Sequence, residues 1–154
     1  MIELTPLLQF DRIVIVGVPM SGKTTLCNMI EEKKKVSVLH TDDITMSVPW
    51  KQAPKKILDE IRKYSMPYVI EGVQAYRLLR NGFIPEVVVC LLPEYPPLAQ
   101  HVGLRKTCMK IWQDVLNMNP SFKIIETTLH GKGLYKDNVI VKDSRKSTIR
   151  FRII

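Results

Sequence analysis

The stretch that decides the fold is Gly17–Thr24, which reads GVPMSGKT and completes the pattern G-x-x-x-x-G-K-[ST], the Walker A pattern. An uncharged run of β-branched residues, Ile13–Val16, stands directly before it. Apolar residues at helical spacing follow it, beginning with Leu26. A strand, a glycine-containing loop and a helix in this order form the setting in which such a pattern binds phosphate. We therefore expect this segment, the glycine loop, to bind a nucleoside triphosphate.

Each residue type in the glycine loop suits a polyphosphate. Gly17 and Gly22 permit the tight turn that points successive backbone N–H groups inward. The helix that starts near Lys23 adds the positive end of its dipole. Lys23 is expected to reach the β- and γ-phosphates, and the Thr24 hydroxyl to ligate Mg²⁺. The residues predicted to contact the nucleotide are Gly17, Met20, Ser21, Gly22, Lys23, Thr24 and Thr25.

The composition predicts a single globular domain that spans residues 1–154. Of the 154 residues 45% are hydrophobic, but no run approaches the roughly 20 apolar residues of a membrane span. The three cysteines, Cys27, Cys90 and Cys108, lie far apart in apolar surroundings, which is typical of reduced packing residues in a cytosolic protein. The start of the chain lacks the basic segment of a secretory signal. We therefore expect a cytoplasmic protein without a membrane partner.

The formal net charge of +8 favours polyanionic partners, because a basic surface raises the local concentration of polyanions. Lysine and arginine residues at 55, 56, 63, 150 and 152 are candidates for contacts with a phosphate backbone. The alternative is that the excess lysine only keeps the fold soluble. Charge alone also says nothing about sequence specificity.

The remaining segments predict alternating strands and helices. Strands are expected at 11–17, 36–40, 67–71, 86–92 and 122–128, and helices at 23–34, 54–65, 73–81 and 96–118. This alternation predicts an α/β fold with a five-stranded, mainly parallel sheet. Combined with the glycine loop, the predicted arrangement resembles the three-layer P-loop NTPase fold of nucleoside and nucleotide kinases. Two further strands, at 139–141 and 148–154, predict a C-terminal β-hairpin. Ligands of such a sheet bind beyond the carboxyl ends of its strands.

An aspartate pair, Asp42 and Asp43, directly follows the predicted second strand. A carboxylate in this position faces the γ-phosphate and can take the proton of an attacking hydroxyl. Kinases that phosphorylate an existing phosphate have little need of such a base, so the pair favours a hydroxyl acceptor. We predict Asp42 as the general base and leave Asp43 to contact the acceptor, water or Mg²⁺. An Asx turn or a helix cap is the alternative interpretation of both.

A glutamate, Glu71, ends the predicted third strand and precedes Gly72. An acidic residue at the end of a core strand beside a phosphate-binding loop can hold Mg²⁺ through water or orient an acceptor. A merely solvated strand end is the equally open alternative.

Arginine residues are expected over the transferred phosphoryl group. Arg105 falls in the middle of an apolar stripe on the predicted long helix, and Gly103 is expected to interrupt that helix and form a short lid. The stripe consists of Leu98, Val102, Met109, Trp112 and Leu116. Gln74, Arg77 and Arg80, on the segment after the third strand, are candidates for contacting the acceptor, with a solvated helix face as the alternative.

Together these motifs resemble the small P-loop kinases related to polynucleotide 5′-hydroxyl kinase. The resemblance rests on Gly17–Thr24, Thr41–Asp43, Val69–Gly72 and the late arginine, and it covers residues 11–112. The stretch Ile70–Gln74, which reads IEGVQ, together with the size and basic charge, is also similar to phage kinases that phosphorylate 5-hydroxymethyluracil within DNA. The resemblance implies ATP and Mg²⁺ as co-substrates, DNA as the partner and Asp42 as general base.

The expected function is therefore transfer of the γ-phosphoryl group of ATP to a hydroxyl on DNA, in the host cytoplasm if the chain is phage-encoded. The pattern departs from polynucleotide kinases because no segment corresponds to a phosphatase domain, which weakens an expectation of end-healing repair. Alternatives are a polynucleotide 5′-hydroxyl kinase, a kinase of free nucleosides or small alcohols and, in a different class, a protein that uses ATP only as a switch. The sequence leaves the oligomeric state open.

Overall fold

The computed structural model of the chain describes residues 4–45, 48–130, 140–143 and 148–151. Its helices and strands alternate along most of this length. In chain order they are α1 (Thr5–Leu8), β1 (Arg12–Gly17), α2 (Lys23–Lys33), β2 (Ser37–His40), α3 (Thr41–Thr45), a 3₁₀ turn (Trp50–Gln52), α4 (Ala53–Ile61), β3 (Tyr68–Glu71), α5 (Ala75–Arg80), β4 (Val87–Leu91), a second 3₁₀ turn (Ala99–His101), α6 (Val102–Asn117), β5 (Lys123–Thr127), β6 (Ile140–Asp143) and β7 (Thr148–Phe151).

The first five strands form one parallel sheet in the order β2-β3-β1-β4-β5. In the central strand β1, Val14 lies opposite Ile70 of β3 and Val88 of β4. These strands are buried on both faces, which explains why they read as continuous apolar runs in the sequence. The predicted α/β fold with a five-stranded sheet is confirmed, and all five strands are parallel. Each of these five strands was predicted to begin and end within one residue of where it does.

Helices cover both faces of the sheet and give it three layers. Alternate residues of β1 point to opposite faces, with Val14 and Val16 in one apolar cluster and Ile13 and Ile15 in the other. The first cluster contains buried side chains of α4, α5 and α6, and the second contains those of α1 and α2. Each fully buried aliphatic side chain contributes about 1.5–3 kcal/mol, so the two clusters hold the carboxyl edge of the sheet rigidly in place.

The predicted long helix at 96–118 is wrong at its start. The chain before α6 stays extended at Leu98 and makes only a 3₁₀ turn before the helix begins at Val102. Pro96 and Pro97 account for this, because a residue that precedes a proline is disfavoured in the helical region. The predicted interruption at Gly103 is also wrong, since α6 runs through that residue without a break.

The predicted apolar stripe around Arg105 is correct only in its second half. Trp112 and Leu116 are buried, whereas Leu98, Val102 and Met109 are exposed. The buried face of α6 is instead made by Cys108, Ile111, Trp112, Val115 and Leu116. This face begins only at Cys108 and shares just Trp112 and Leu116 with the predicted stripe.

The C-terminal strands β6 and β7 pair antiparallel, as the predicted hairpin requires, with Val141 opposite Arg150. The predicted basic outer face of this hairpin depends on the side chains of Arg150 and Arg152, which lie outside the described part of the structure. None of the described helices has the length and apolarity needed to cross a bilayer.

The three cysteines are predicted to be unreactive in the native state. All are free and buried, and burial raises the pKa of the Cys27 thiol to about 12 and that of Cys108 to about 11. Because only the thiolate is nucleophilic, the native protein at pH 8 should react with Ellman's reagent on the order of 10³-fold more slowly than a free thiol. In guanidinium all three thiols should react at once. Rapid titration of any thiol in the native state would contradict the burial described here.

Candidate functional site

The glycine loop turns tightly between β1 and α2. Met20 and Gly22 both adopt positive φ angles, +67° and +100°, and the amide of Ser21 donates to the carbonyl of Val18 at 3.1 Å. A side chain at Gly17 would collide with Ser21 Oγ and approach Lys23 Cγ to 3.1 Å. Both loop glycines are therefore required by the conformation, since an added Cβ would fill position 17 and strain position 22.

Lys23, the first residue of α2, is a buried cation. It is 7% exposed, and its Nζ donates to the carbonyl oxygen of Val18 at 3.0 Å. Burial lowers the pKa of Lys23, while the carboxylates of Glu71 and Asp42 act in the opposite direction. An anion that entered the loop would replace the hydration that this ammonium has lost.

A cleft of about 490 Å³ opens in front of the glycine loop. It lies beyond the carboxyl ends of β1, β2 and β3, where a parallel sheet binds its ligands. The cleft brings together side chains from the glycine loop, α2, α3 and the segments around α5 and α6. Its lining comprises Pro19, Met20, Gly22, Lys23, Thr24, Thr25, Asp42, Trp50, Val73, Gln74 and Leu104.

Asp42 lines this cleft from the first turn of α3, directly after β2. Its position depends on Gly72, which follows β3 with a φ of +136°. A Cβ at position 72 would collide with Thr41 Oγ1 and lie 3.4 Å from Asp42 Oδ1. The end of β3 and the start of α3 are thus in contact, and this contact sets the carboxylate beside the cleft. Asp43 is exposed but is not part of the lining.

Glu71 lies behind the cleft rather than in its lining. It is 2% exposed at the end of β3, and its Oε1 is 2.6 Å from Nδ1 of His40. The other oxygen, Oε2, is buried without a hydrogen-bond partner among the described residues. The carboxylate is the strongest of the charges that raise the pKa of Lys23. Glu71 therefore acts on the cleft through its electrostatic effect on Lys23. A metal ion in the cleft would contact Glu71 only through a bridging water.

A group that sequence reasoning missed forms part of the cleft wall. Trp50 lines the cleft, and the guanidinium of Arg77 lies 5.0 Å from the centre of its ring. Arg77 Nη1 also donates to the carbonyl of Trp50 and, at 3.2 Å, to Oε1 of Gln74. The structure thus brings the predicted residues Gln74 and Arg77 together around an unpredicted tryptophan. The sequence did contain a signal for this residue. Trp50 is a large aromatic residue directly after Pro49, in the segment that follows β2 at the carboxyl edge of the sheet.

Two predicted arginines lie outside the cleft. Arg80 Nη1 is 3.7 Å from the Asp114 carboxylate of α6, so it joins two helices instead of facing an acceptor. Arg105 lines a neighbouring cavity of about 150 Å³, which shares Pro19 and Met20 with the cleft. Its Nη2 donates to the carbonyl of Tyr95 at 2.9 Å, and its buried Nε has no partner within the described ranges. Arg105 therefore stands on the far side of the loop tip.

The residues present fit a nucleoside triphosphate and Mg²⁺. The glycine loop combines a buried cation, a helix N-terminus and the buried hydroxyl of Ser21, which has no partner in the described part of the chain. No cluster of three or more His, Cys, Asp or Glu side chains suited to a metal occurs among the described residues. Mg²⁺ does not need one, because it commonly takes one or two protein oxygens and completes its shell with phosphate and water. The exposed Thr24 in the cleft can supply such an oxygen.

No protein-family model matches this chain, and no curated protein matches it. The functional assignment therefore depends on the chemistry of the cleft and on the resemblance of its motifs.

Replacement of Gly72 by alanine is predicted to destabilise the protein and displace α3. A non-glycine residue at such a φ costs about 1–3 kcal/mol, and the new Cβ would also press on Thr41. We expect the free energy of unfolding in urea to fall by about 2 kcal/mol or more. Gly103→Ala is the matched control, since nothing lies within 4 Å of its Cβ position and alanine favours a helix by about 0.5–1 kcal/mol. Equal stability of the two variants would contradict the contact between α3 and β3.

Proposed function

We propose that this protein is an ATP-dependent kinase of the P-loop NTPase class, which transfers the γ-phosphoryl group of ATP to a hydroxyl carried on DNA. The acceptor that we favour is the hydroxymethyl group of 5-hydroxymethyluracil. The observation that carries the proposal is that a buried lysine in a glycine loop and a carboxylate on the neighbouring crossover, Lys23 and Asp42, line the same cleft. The motif resemblance to DNA and polynucleotide kinases supports the choice of acceptor class.

In this proposal the glycine loop holds the triphosphate. Lys23 would exchange its bond to the Val18 carbonyl for the β- and γ-phosphate oxygens. Thr24 would ligate Mg²⁺, which supplies charge neutralisation at the phosphates when it is bound. The attraction between the Lys23 ammonium and the phosphates would become stronger as the ligands fill the cleft, because they exclude the water that screens the charge.

Asp42 would act as the general base. The acceptor hydroxyl gives its proton to the carboxylate as its oxygen forms a bond to the γ-phosphorus, and the bond from that phosphorus to the β-γ bridging oxygen breaks, so that ADP leaves. Asp42 is exposed to the cleft, so an acceptor can reach it. Arg105, across the loop tip, would add positive charge to the transferred group once it released the Tyr95 carbonyl.

Positive charge beside the cleft supports a polyanionic acceptor. Lys51 directly follows Trp50, and the exposed Lys55 and Lys56 of α4 line a separate cavity of about 370 Å³ together with Asp59. A DNA backbone could follow this basic surface toward the cleft, consistent with the net charge of +8. A hydroxymethyl group inside a duplex requires its nucleotide to be flipped out before the hydroxyl can enter a cleft of this kind.

Lys23→Ala and Asp42→Asn are predicted to separate nucleotide binding from chemistry. Lys23→Ala should abolish ATP binding, whereas Asp42→Asn should retain it and lower turnover by about 10²–10⁴-fold, as expected for the loss of a general base. Asp43→Asn, outside the cleft lining, should lower turnover by less than about tenfold. ATP affinity by calorimetry and transfer of labelled phosphate measure the two properties.

Glu32→Gln, which removes an exposed charge on α2, controls for net charge. If Asp42→Asn turns over as fast as the wild type, Asp42 is not the base. If the wild type binds ATP but transfers phosphate to no hydroxyl, the protein uses ATP only as a switch.

A substrate panel decides the acceptor. Labelled ATP should phosphorylate DNA that contains 5-hydroxymethyluracil, and DNA affinity should fall steeply with salt because counterions are released on binding. A 5′-hydroxyl oligonucleotide and the free nucleoside are the comparison substrates. Preferred phosphorylation of the oligonucleotide end would identify an end kinase, and activity on the nucleoside alone would exclude DNA as the substrate.

A further inference from the structure

We propose that the part of the cleft lined by Trp50 and Gln74 is a nucleobase subsite, in which Trp50 stacks on the acceptor base and Gln74 Nε2 donates a hydrogen bond to a keto oxygen beside the reacting group. The subsite would select a uracil-type base over a cytosine-type base. This inference rests on the proposed function and names the specificity-determining residues of the same cleft.

The amide of Gln74 has a fixed orientation and an unused donor. Gln74 is 1% exposed and lines the cleft, and its Oε1 accepts from Arg77 Nη1 at 3.2 Å. A guanidinium carries donors only, so the amide oxygen must face Arg77 and the NH₂ group must face away from it. Nε2 is buried and has no partner within the part of the chain that the structure describes. A buried donor without an acceptor is unfavourable, and a ligand oxygen would satisfy it.

Gln74 does not act as a side-chain cap of helix α5. Gln74 occupies the N-cap position of α5, but its side chain makes no capping hydrogen bond. The side chain is instead held by Arg77, one turn along, at the cleft wall. The same arginine therefore fixes both the amide and the tryptophan.

Trp50 offers an aromatic surface beside that amide. The residue is 44% exposed although the Arg77 guanidinium covers one face of its ring, and it lines the cleft. The hydrogen bond from Arg77 to the Trp50 carbonyl anchors the backbone of the same residue. A positioned, exposed indole is a stacking platform for a base, because every base has a π-face.

The relative positions of Asp42 and Gln74 connect base recognition to the reaction. On a 5-hydroxymethyl pyrimidine, the reacting group at C5 and the substituent at C4 are carried on adjacent ring atoms. Asp42 lies beside Gly72, two residues before Gln74, and both side chains line one cleft. A hydroxymethyl group at Asp42 would thus direct the C4 substituent to Gln74. Uracil presents an acceptor, O4, to Nε2, whereas cytosine presents the amino group N4, which is a second donor.

Binding of nucleosides tests the subsite without any phosphoryl transfer. Of the two tryptophans in the chain, Trp112 is 2% exposed in the core, so base stacking should quench Trp50 selectively. Thymidine and 5-methyl-2′-deoxycytidine are the matched probes, since they differ in the base only in the presentation of C4 and N3. We expect thymidine to bind at least about tenfold more tightly, with the quenching lost in Trp50→Phe. Equal affinities, or quenching that persists in Trp50→Phe, would overturn the proposal.

Gln74→Glu should reverse the preference. A glutamate would still pair with Arg77 but would present an acceptor to the base, so the cytosine-type nucleoside should become the tighter ligand. Gln74→Met, close in size and without a donor, should abolish the discrimination while the stacking remains. Circular dichroism shows whether the variants fold. If they do not, the wild-type comparison of the two probes and the Trp50→Phe variant decide the outcome.

Phosphoryl transfer to 5-hydroxymethyluracil DNA and 5-hydroxymethylcytosine DNA separates failure of the subsite from failure of the function. Nucleoside discrimination without transfer to any DNA would leave the subsite intact and refute the kinase proposal. Equal transfer to both DNAs, unchanged in Trp50→Phe, would leave the kinase intact and refute the subsite. Transfer at least about tenfold faster to the uracil-type DNA, lost in Gln74→Met, is the result that we expect.

Discussion

The burial of Lys23 against the carbonyl of Val18 is the constraint on which the rest of the site depends. A desolvated ammonium is unfavourable unless negative charge is near, and the chain places Glu71 and Asp42 around it. Glu71 is buried behind the lysine, while Asp42 shares the open cleft with it. The interior carboxylate opposes the fall in the pKa of Lys23 that burial causes, and the cleft side of the lysine is where an anion would meet it.

The elements that the sequence predicts well are those whose signals are local. Strands β1 to β5 are predicted within one residue, and for β1, β3 and β4 the reason is burial on both faces, which makes each a largely apolar run. The glycine loop is recognisable for a similar reason, since its two glycines are demanded by contacts within the loop itself. Asp42 was predictable because β2 ends immediately before it, and the carboxyl ends of parallel strands meet at one edge.

Features set by distant contacts were not predictable. Arg80 is taken up by Asp114, 34 positions later on another helix, so no periodicity could tell it apart from Arg77. Trp50 is held in position by a hydrogen bond from Arg77, which is 27 positions away in the chain. The stripe was only partly predicted, because Leu98 precedes α6 and both Val102 and Met109 lie on the exposed side of that helix. In each case the missing information was a tertiary contact between segments that are far apart in the chain.

The end of β3 joins the separate parts of the cleft within four residues. Glu71 lies behind the lysine, Gly72 contacts the start of α3 and so positions Asp42, and Gln74 lines the cleft. Because these residues belong to one short, buried segment anchored in the sheet, their separations are fixed by backbone geometry. A base held against Gln74 and a phosphate held by Lys23 would then meet at Asp42 without a large closure of the protein. The proposed phosphate binding, proton transfer and base selection would therefore all depend on this one short segment of the chain.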